Sequence, residues 1–447
     1  MKLFSYMLWS LLMLMLVLAA CSKAPNLTLG EPETRFFSSG SPVVFKVPFE
    51  GSGFQFNWTQ FIGEAKFSSR IENGFAVLDL PAQETTTQLY FRFKLSSGST
   101  TKVYDFYVVN EAQLKESNLL DYSQSQQQDQ CNVSAWQDKA DKELRIGLPK
   151  RLSDTACVQM TTPTEPPAGA YPYEVQRAFW SDGVLKTRWF FLPEGGKIKF
   201  PKDNHESLDF PVGTVLVKQF TLNDKAIETR LMIHSSQSSW LGYSYEWNDE
   251  QTEAFLLEDS KDKSIDGQLW HYPSSSECLQ CHTAGAGYGL GTNLLNMNVI
   301  SRRNNELHSQ LLDLLDLGIF ANKVSLQPHL ASSENEGIGL NREAREYLEV
   351  NCSGCHRPGA SAGRAQINLL ADTPLAETGT CEVRSWFDSV GILDAYIIAP
   401  GRPENSILLK RLSSRESYQM PPLASSIVPE NGAELIRRWI GKLDSCE

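Results

Sequence analysis

The chain has 447 residues, of which 41% are hydrophobic, and its formal net charge at pH 7 is −12. Length and composition are those of a globular protein with about three domains. The acidic balance argues against nucleic acid and anionic lipid as partners, and it favours basic or neutral partner proteins.

The N-terminal residues predict export. Residues 3–20 carry no charge and are long enough to span a bilayer, so an uncleaved transmembrane anchor is one interpretation. The end of this run, Leu18-Ala19-Ala20-Cys21, instead resembles a bacterial lipobox. We therefore predict a lipoprotein signal peptide over 1–20, lipidation of Cys21 and a polar tether over 21–40. By the same resemblance, the residue after Cys21, which is not Asp, implies an outer-membrane anchor facing the periplasm.

The next segment predicts an all-β domain. Apolar and polar residues alternate over 90–95 and 103–108, and Asn73-Gly74 is a turn signal between apolar runs. We predict an immunoglobulin-like β-sandwich over 41–112. It carries no cluster of Cys, His or paired acids and is interpreted as a spacer or docking module. The Gln- and Ser-rich residues 113–130 are predicted to be a linker.

Residues 131–300 predict a β-rich domain. Val215 to Phe220 has the pattern of a strand, and Glu228 to Ile233 has that of its hairpin partner. Asn223-Asp224 supplies the turn between them. This domain is predicted to end in the first of two chemical motifs.

The motif Cys-x-x-Cys-His occurs twice, at residues 278–282 and 352–356. It is the attachment signature of c-type haem, because two thiols on one face of a helical turn form thioethers to the porphyrin and the adjoining His lies under the iron. One copy alone is also compatible with a zinc half-site or a redox pair. Two complete copies predict two covalently attached haem c groups. The attachment residues and proximal ligands are then Cys278, Cys281, His282, Cys352, Cys355 and His356.

The remaining C-terminal segments predict mainly helices. Residues 301–340 are predicted to be a helix and a loop, on the helical spacing of Leu307, Leu311, Leu312, Leu314 and Leu315. Asn341 to Asn351 predicts a helix leading into the second motif. Pro429 to Leu443 predicts an amphipathic helix with a buried stripe formed by Leu435, Ile436, Trp439, Ile440 and Leu443.

Four cysteines remain when Cys21 and the two motifs are set aside. They allow three disulfide connectivities, and an oxidising periplasm favours disulfides over free buried thiols. We prefer Cys131–Cys157 and Cys381–Cys446, because each pair falls inside one predicted domain.

Residues 341–447 resemble a class I cytochrome c domain, which is all-α. The helix before the second motif, the Pro400-Gly401-Arg402-Pro403-Glu404-Asn405-Ser406 segment, the Met420-Pro421-Pro422 loop and the final helix occur in that family's order. The resemblance implies that Met420 is the sixth ligand of the second haem. A thioether opposite an imidazole raises the reduction potential and closes the iron to substrates.

Residues 165–300 resemble an uncharacterised family of bacterial dihaem c-type cytochromes. The matching pieces are Tyr-Pro-Tyr, Trp-Ser-Asp-Gly, Lys-x-Arg-Trp, Phe-Pro-x-Gly-Thr-x-x-x-Lys, Glu-Thr-Arg-Leu, Gly-Tyr-x-Tyr-x-Trp and Tyr-Pro-Ser before the first motif. More distantly, this region is similar to the c′-beta cytochromes and their relatives, in which a strand lysine is cross-linked to haem. That likeness implies that Lys218 stands near the first haem, whereas an ordinary strand lysine in solvent is the alternative.

The distal ligand of the first haem stays open, with the candidates Met232, His234, His271, Met297 and His308. The whole chain is predicted to be multidomain α+β: an N-terminal sandwich, a β-rich middle domain and an all-α cytochrome domain. The favoured function is one-electron transfer by a dihaem c-type cytochrome lipoprotein between redox partner proteins. The alternatives are peroxidase-like or small-gas chemistry at an open first haem fed by the second, and a scaffold for a larger complex. No nucleotide loop, nucleophile elbow or zincin helix is present, so a carrier is preferred to an enzyme.

Overall fold

The computed structural model describes residues 147–447 apart from 202–204, 238, 298, 304–305, 322–337, 363–365 and 386–387. Before residue 147 it describes 28–29, 34–38, 43–50, 55–62, 68–72, 75–80, 89–97, 100–109, 115–116, 122–125, 131, 133 and 136. The predicted signal peptide, Cys21 and most of the 113–130 linker lie outside the described residues. The described part is a mixed α and β protein that divides into two compact units, with the boundary after residue 114. The coarse prediction of a multidomain α+β chain is therefore confirmed.

The first unit contains two sheets of four strands each in its described residues. The strands are β1 Thr28–Leu29, β2 Thr34–Ser38, β3 Val43–Glu50, β4 Gln55–Ile62, β5 Ser68–Glu72, β6 Phe75–Leu80, β7 Leu89–Ser97 and β8 Thr100–Val109. One sheet has the order β1-β3-β6-β5 and the other β2-β8-β7-β4, with β2–β8 as the parallel pair. Strands β1 and β2 lie inside the range 21–40 that the sequence predicts as a tether. The sheets begin earlier because backbone groups there pair with the edges that β3 and β8 present.

The second unit begins with β9 Lys115–Glu116 and is organised around a six-stranded antiparallel sheet with the order β10 to β15. Its strands are β10 Tyr171–Pro172, β11 Leu185–Phe191, β12 Val215–Leu222, β13 Lys225–Ser236, β14 Ser239–Trp247 and β15 Ala254–Leu256. A separate hairpin joins β16 Lys261–Ile265 and β17 Gln268–Tyr272, while β18 Ile300–Arg303 pairs with β9 and with β19 Glu306–Ser309. The predicted β12–β13 hairpin is present. Asn223 and Asp224 form its turn with φ of 49° and 61°, as a two-residue turn with two left-handed residues requires.

Alternation along these strands gives the sheet two different faces. On one face Trp189, Val217, Leu231 and Tyr245 are fully buried in the main core. The Cys131–Cys157 disulfide packs into this core. Burying each such large apolar side chain contributes about 1.5–3 kcal/mol. The residues that alternate with these, one position along each strand, lie on the opposite face, which is turned towards the site described below.

Six α-helices are present in the described residues: α1 Ser275–Cys281, α2 Leu294–Met297, α3 Gln310–Asp316, α4 Ile338–Cys352, α5 Ile407–Leu412 and α6 Glu430–Lys442. Helix α4 covers the predicted segment 341–351, and α6 covers the segment predicted over 429–443 except for Pro429 and Leu443, which are its caps. The helix predicted from Leu307 onward is wrong at its start, because Leu307 lies in β19 and pairs with β18. Helix α3 begins only after Ser309, whose hydroxyl accepts a hydrogen bond from Leu312 N.

Helix α6 packs closely on α4. Ile436, Trp439 and Ile440 are each at most 1% exposed. Trp439 Nε1 donates a hydrogen bond to Asn341 Oδ1 at 2.8 Å. A Cβ at Gly432 would overlap the Tyr347 ring, so only glycine allows this approach. The second disulfide, Cys381–Cys446, ties the segment after α6 back to the unit. Both disulfides are those that the sequence analysis preferred among three connectivities.

Candidate functional site

A single cavity of about 370 Å³ brings the two Cys-x-x-Cys-His motifs together in the second unit. Its wall includes the predicted site residues Lys218, Cys278, Cys281, His282, Cys355, His356 and Met420. Cys352 is partly buried against the helical core around α4 and α6. All four motif cysteines are free thiols. Side chains from β12, α1, the segment after α4 and the loop before α6 therefore meet at one place.

Helix α1 presents the first motif to this cavity. Its start is a capping box, in which Ser274 Oγ accepts from Glu277 N while the Glu277 carboxylate accepts from Ser274 N at 2.9 Å. Gly242 on β14 permits the helix to lie close to the sheet. A Cβ at this position would stand 2.6 Å from Cβ of Cys278 and 2.9 Å from Sδ of Met232. A larger residue at 242 would therefore have to displace the motif.

His282 follows α1 as its C-cap and is held in one orientation. Its Nδ1 donates to the carbonyl of Tyr288 at 2.5 Å, because a carbonyl oxygen can only accept. The lone pair of the neutral ring is then on Nε2, the arrangement that metal-bound histidines commonly show. Burial, with repulsion from Lys218 and Arg230, lowers the pKa of His282 to about 3. The ring is therefore neutral at pH 7.

The second motif begins in the last turn of α4. The backbone N–H groups of Cys355 and His356 both donate to the carbonyl of Cys352, at 3.1 and 2.9 Å, which continues a turn past the helix end. Nδ1 of His356 is buried and has no hydrogen-bond partner among the described residues. Burial, together with the nearby charge of Arg411, lowers the pKa of His356. This histidine is also neutral at pH 7.

The two motifs pack directly on each other. Sγ of Cys355 lies 3.8 Å from Sγ of Cys281, and Thr283 Oγ1 donates to the carbonyl of Gly354 at 3.1 Å. A residue that follows the second motif also touches the first motif, since Ser361 Oγ donates to the carbonyl of Gln280 at 2.7 Å. The hydrogen bond between the two thiols raises the pKa of Cys281 and lowers that of Cys355.

Gly285 and Gly359 extend this contact. A Cβ at Gly285 would come within 2.5 Å of the Gly359 backbone, which has no side chain that could yield. The segments that follow the two motifs are therefore in close backbone contact.

A row of cations lies on the face of the sheet that is turned towards the cavity. Arg188, Lys218 and Arg230 are directly opposite one another on β11, β12 and β13, and we call them the cationic row. All three line the cavity. The Glu228 carboxylate, which is fully buried, accepts from Arg230 at 2.7 and 2.9 Å. Burial, with repulsion from Arg188 and Arg230, lowers the pKa of Lys218 to about 7.

The five candidates for the distal ligand of the first haem are placed very differently. Met232 is the one that lines the cavity. Nδ1 of His234 donates to the carbonyl of Phe210, and Met297 is fully buried away from the cavity wall. His271 contacts Asp262 and Glu277, and His308 faces Asp313. The three histidines therefore contact other groups away from the cavity wall.

A buried histidine that the sequence analysis missed also lines the cavity. Nδ1 of His205 lies 2.8 Å from Glu349 and its Nε2 lies 2.9 Å from Asp372. The His205 carbonyl accepts from Arg357, the residue after the second motif. No local signal marks this site, because its three side chains come from distant segments. Arg188 and Arg230, by contrast, lie within the motifs Lys-x-Arg-Trp and Glu-Thr-Arg-Leu, although their common location could not be read from the sequence.

The described residues contain neither a cluster for a bare metal ion nor a membrane-spanning helix. Within the described residues, no group of three or more His, Cys, Asp or Glu side chains is arranged to hold a bare metal ion. A haem iron takes only axial ligands from the protein, so a c-type haem site does not need such a group. No helix in the described part of the chain is both long and apolar enough to cross a membrane.

Comparison with known proteins assigns no family. No protein-family model and no curated protein sequence matches the chain. Among solved structures, a chimeric titin Z1Z2 is 18% identical at a TM-score of 0.18 and covers 20% of this chain and 98% of its own. The M1 domain from titin is 15% identical at a TM-score of 0.17, covering 19% of this chain and 95% of its own. These scores are too low to assign a fold or a function.

Proposed function

We propose that the chain is an exported dihaem c-type cytochrome that transfers electrons one at a time between redox partner proteins. The observation that carries the proposal is that two complete Cys-x-x-Cys-His motifs, each with free thiols, meet at one cavity. A zinc or dithiol site would not need a histidine after each pair. A haem iron that alternates between its ferrous and ferric states supplies the one-electron chemistry.

The residues of the first motif fit a covalently attached haem. Cys278 and Cys281 supply two thiols from one helical turn, and His282 supplies a neutral imidazole whose Nε2 is left unprotonated by the bond to Tyr288. The bond to the Tyr288 carbonyl also fixes the orientation of the ring.

The second motif fits in a different way. His356 has a buried Nδ1 without a partner in the described residues, which disfavours its charged form. Met420 lines the same cavity and offers a thioether. We propose that His356 and Met420 would hold the iron of the second haem and that residues 341–447 form a class I cytochrome c-like domain, supported by the order α4, motif, Met420 and α6 along the chain.

The proposal predicts interaction between the two chromophores, because their attachment sulfurs on Cys281 and Cys355 are 3.8 Å apart. Circular dichroism in the Soret region should therefore show a two-signed band, and a redox titration should require two electrons per chain. Independent, single-signed Soret bands would contradict the close attachment. A one-electron titration would contradict the dihaem assignment.

A second candidate function is small-gas or peroxide chemistry at the first haem. It is favoured because four of the five candidates for a distal ligand, including all three histidines, do not line the cavity. Only Met232 does. Carbon monoxide should then bind rapidly to one of the two reduced haems. If neither haem binds it, electron transfer remains as the function.

We also propose assignments for the remaining parts of the chain. The orders β1-β3-β6-β5 and β4-β7-β8 correspond to strands A-B-E-D and C-F-G of an immunoglobulin sandwich, which supports an immunoglobulin-like first domain. The proposed anchor is the lipid on Cys21, at the outer membrane facing the periplasm. These proposals place the haem cavity outside the cytoplasm, where its redox partners would dock.

A further inference from the structure

The charge of the cavity wall is opposite to that of the chain. The whole chain carries −12, yet the cationic side chains on the wall outnumber the carboxylates. The lysine and arginine side chains are Arg177, Lys186, Arg188, Lys218, Arg230 and Arg357, and the carboxylates are Glu277 and Glu349. A concave basic surface inside an acidic protein favours an anionic occupant.

The two wall carboxylates are already engaged away from the cationic row. Glu277 is held by Ser274 and His271. Glu349 accepts from His205, from Asn293 and from the Ala371 backbone. Neither carboxylate forms an ion pair with the row.

The cations differ in what neutralises them. Arg230 is paired with Glu228, and Arg177 is paired with Glu346. Lys186 donates to the Phe179 carbonyl and to Ser181 Oγ, and Arg188 donates to the Lys186 carbonyl at 3.2 Å. No carboxylate among the described residues forms an ion pair with Lys186, Arg188 or Lys218.

Lys218 is the extreme case. Across the described part of the chain its ammonium group has neither a hydrogen bond nor an ion pair, although it is half-buried and lines the cavity. An unpaired cation in such a position is costly, and the cost is removed either by loss of its proton or by the binding of an anion.

We propose that Arg188 and Lys218, flanked by Lys186, form a binding site for an anionic oxygen group, either a carboxylate or a small oxyanion. Residues directly opposite on neighbouring antiparallel strands have Cβ atoms about 5 Å apart, so both cationic heads can reach one ligand. A guanidinium donates two parallel hydrogen bonds to such a group, and the ammonium adds a point charge.

Two sources could supply this chemistry. One is a free oxyanion that enters the cavity, and the other is a carboxylate of a porphyrin attached at Cys278 and Cys281. Only the second source rests on the proposed function.

The test uses the purified full chain with its bound cofactors. Isothermal titration with formate, sulfate and inorganic phosphate is compared among the wild type, Lys218→Gln, Arg188→Gln and Lys218→Arg. Lys225→Gln is the control, because Lys225 is exposed beside the β12–β13 turn. Circular dichroism establishes whether each variant is folded. If Arg188→Gln does not fold, Lys218→Gln alone is sufficient for the test.

For a free oxyanion we expect one saturable site per chain. Its affinity should fall by about tenfold or more in Lys218→Gln and in Arg188→Gln, recover in Lys218→Arg and stay unchanged in Lys225→Gln. For a porphyrin carboxylate we expect no free anion to bind. Resonance Raman bands of the carboxylates of one haem should then shift in Lys218→Gln and not in Lys225→Gln.

If no probe binds and no carboxylate band shifts, the site is refuted. Haem staining of the same preparations separates this result from failure of the proposed function. Anion binding by a chain without haem would keep the site and remove the cytochrome assignment. A chain that carries two haems but shows neither anion binding nor a shifted carboxylate band would keep the cytochrome assignment and remove the anion site.

Discussion

The His205 cluster gives a quantitative prediction about pH. The His205 side chain is only 5% exposed and lies between Glu349 and Asp372. Burial opposes the charged ring, but hydrogen bonds to Asp372 and Glu349 and the attraction of both carboxylates outweigh it and raise the pKa of His205 to about 10. The charged imidazolium thus joins α4, which carries the second motif, to two other segments of the unit.

A pKa that is raised in the folded state stabilises the fold at low pH. The stabilisation is complete below the unfolded pKa of 6.5 and is lost as the pH rises through about 10. At 1.36 kcal/mol for each pKa unit, it amounts to roughly 4 to 5 kcal/mol below pH 6.5. This is a large share of the stability of an ordinary domain.

His205→Gln should therefore lower the free energy of unfolding by several kcal/mol at pH 6, and the difference from the wild type should shrink towards pH 10. Denaturant titrations followed by tryptophan fluorescence at pH 6, 8 and 10 measure it. His271→Gln is the control, since His271 is 21% exposed and a surface pair contributes at most about 1 kcal/mol. A difference for His205→Gln that stays constant from pH 6 to pH 10 would refute the reasoning.

Three further predictions concern attachment, ligation and anchoring. Gly242→Ala should reduce haem content at the first motif alone, because overpacking against Cys278 costs about 1–3 kcal/mol. Gly441→Ala is the control and should leave both haems in place, because a Cβ at Gly441 would meet only Pro403 at 3.6 Å. Met420→Ala should remove the sulfur-to-iron charge-transfer band of one haem and lower its potential; an unchanged near-infrared spectrum would exclude Met420 as a ligand. Cys21→Ser should release the protein from membranes in fractionation. An intact Met1 on membrane-bound protein would exclude the lipoprotein assignment.

Local signals explain which parts of the fold could be predicted. The β12–β13 hairpin follows from alternation and from Asn223-Asp224, and α6 follows from the spacing of its apolar residues together with Pro429 at its start. The motif cysteines and histidines were identifiable because the Cys-x-x-Cys-His spacing is contained in five consecutive residues. The start of α3 could not be identified from the sequence, because Leu307 fits both the apolar stripe of a helix and a strand. The pairing of β18 with β19 decides between the two.

The parts of the site that the sequence did not reveal all depend on long-range contacts. The cationic row requires the register of three strands, which fixes Arg188, Lys218 and Arg230 opposite one another. The His205 cluster joins a loop between strands to α4 and to Asp372. The contact between Cys281 and Cys355 depends on how two segments more than 70 residues apart pack together. Neither periodicity nor motif spacing contains this information.

The central claim is that each motif carries a covalently bound haem. The most direct test is the intact mass of the denatured protein, expressed with a c-type maturation system, for the wild type, Cys281→Ala and Cys355→Ala. We expect a gain of two porphyrins in the wild type, with attachment weakened at one site only in each variant. A single haem, or bound zinc with all four thiols free, would contradict it.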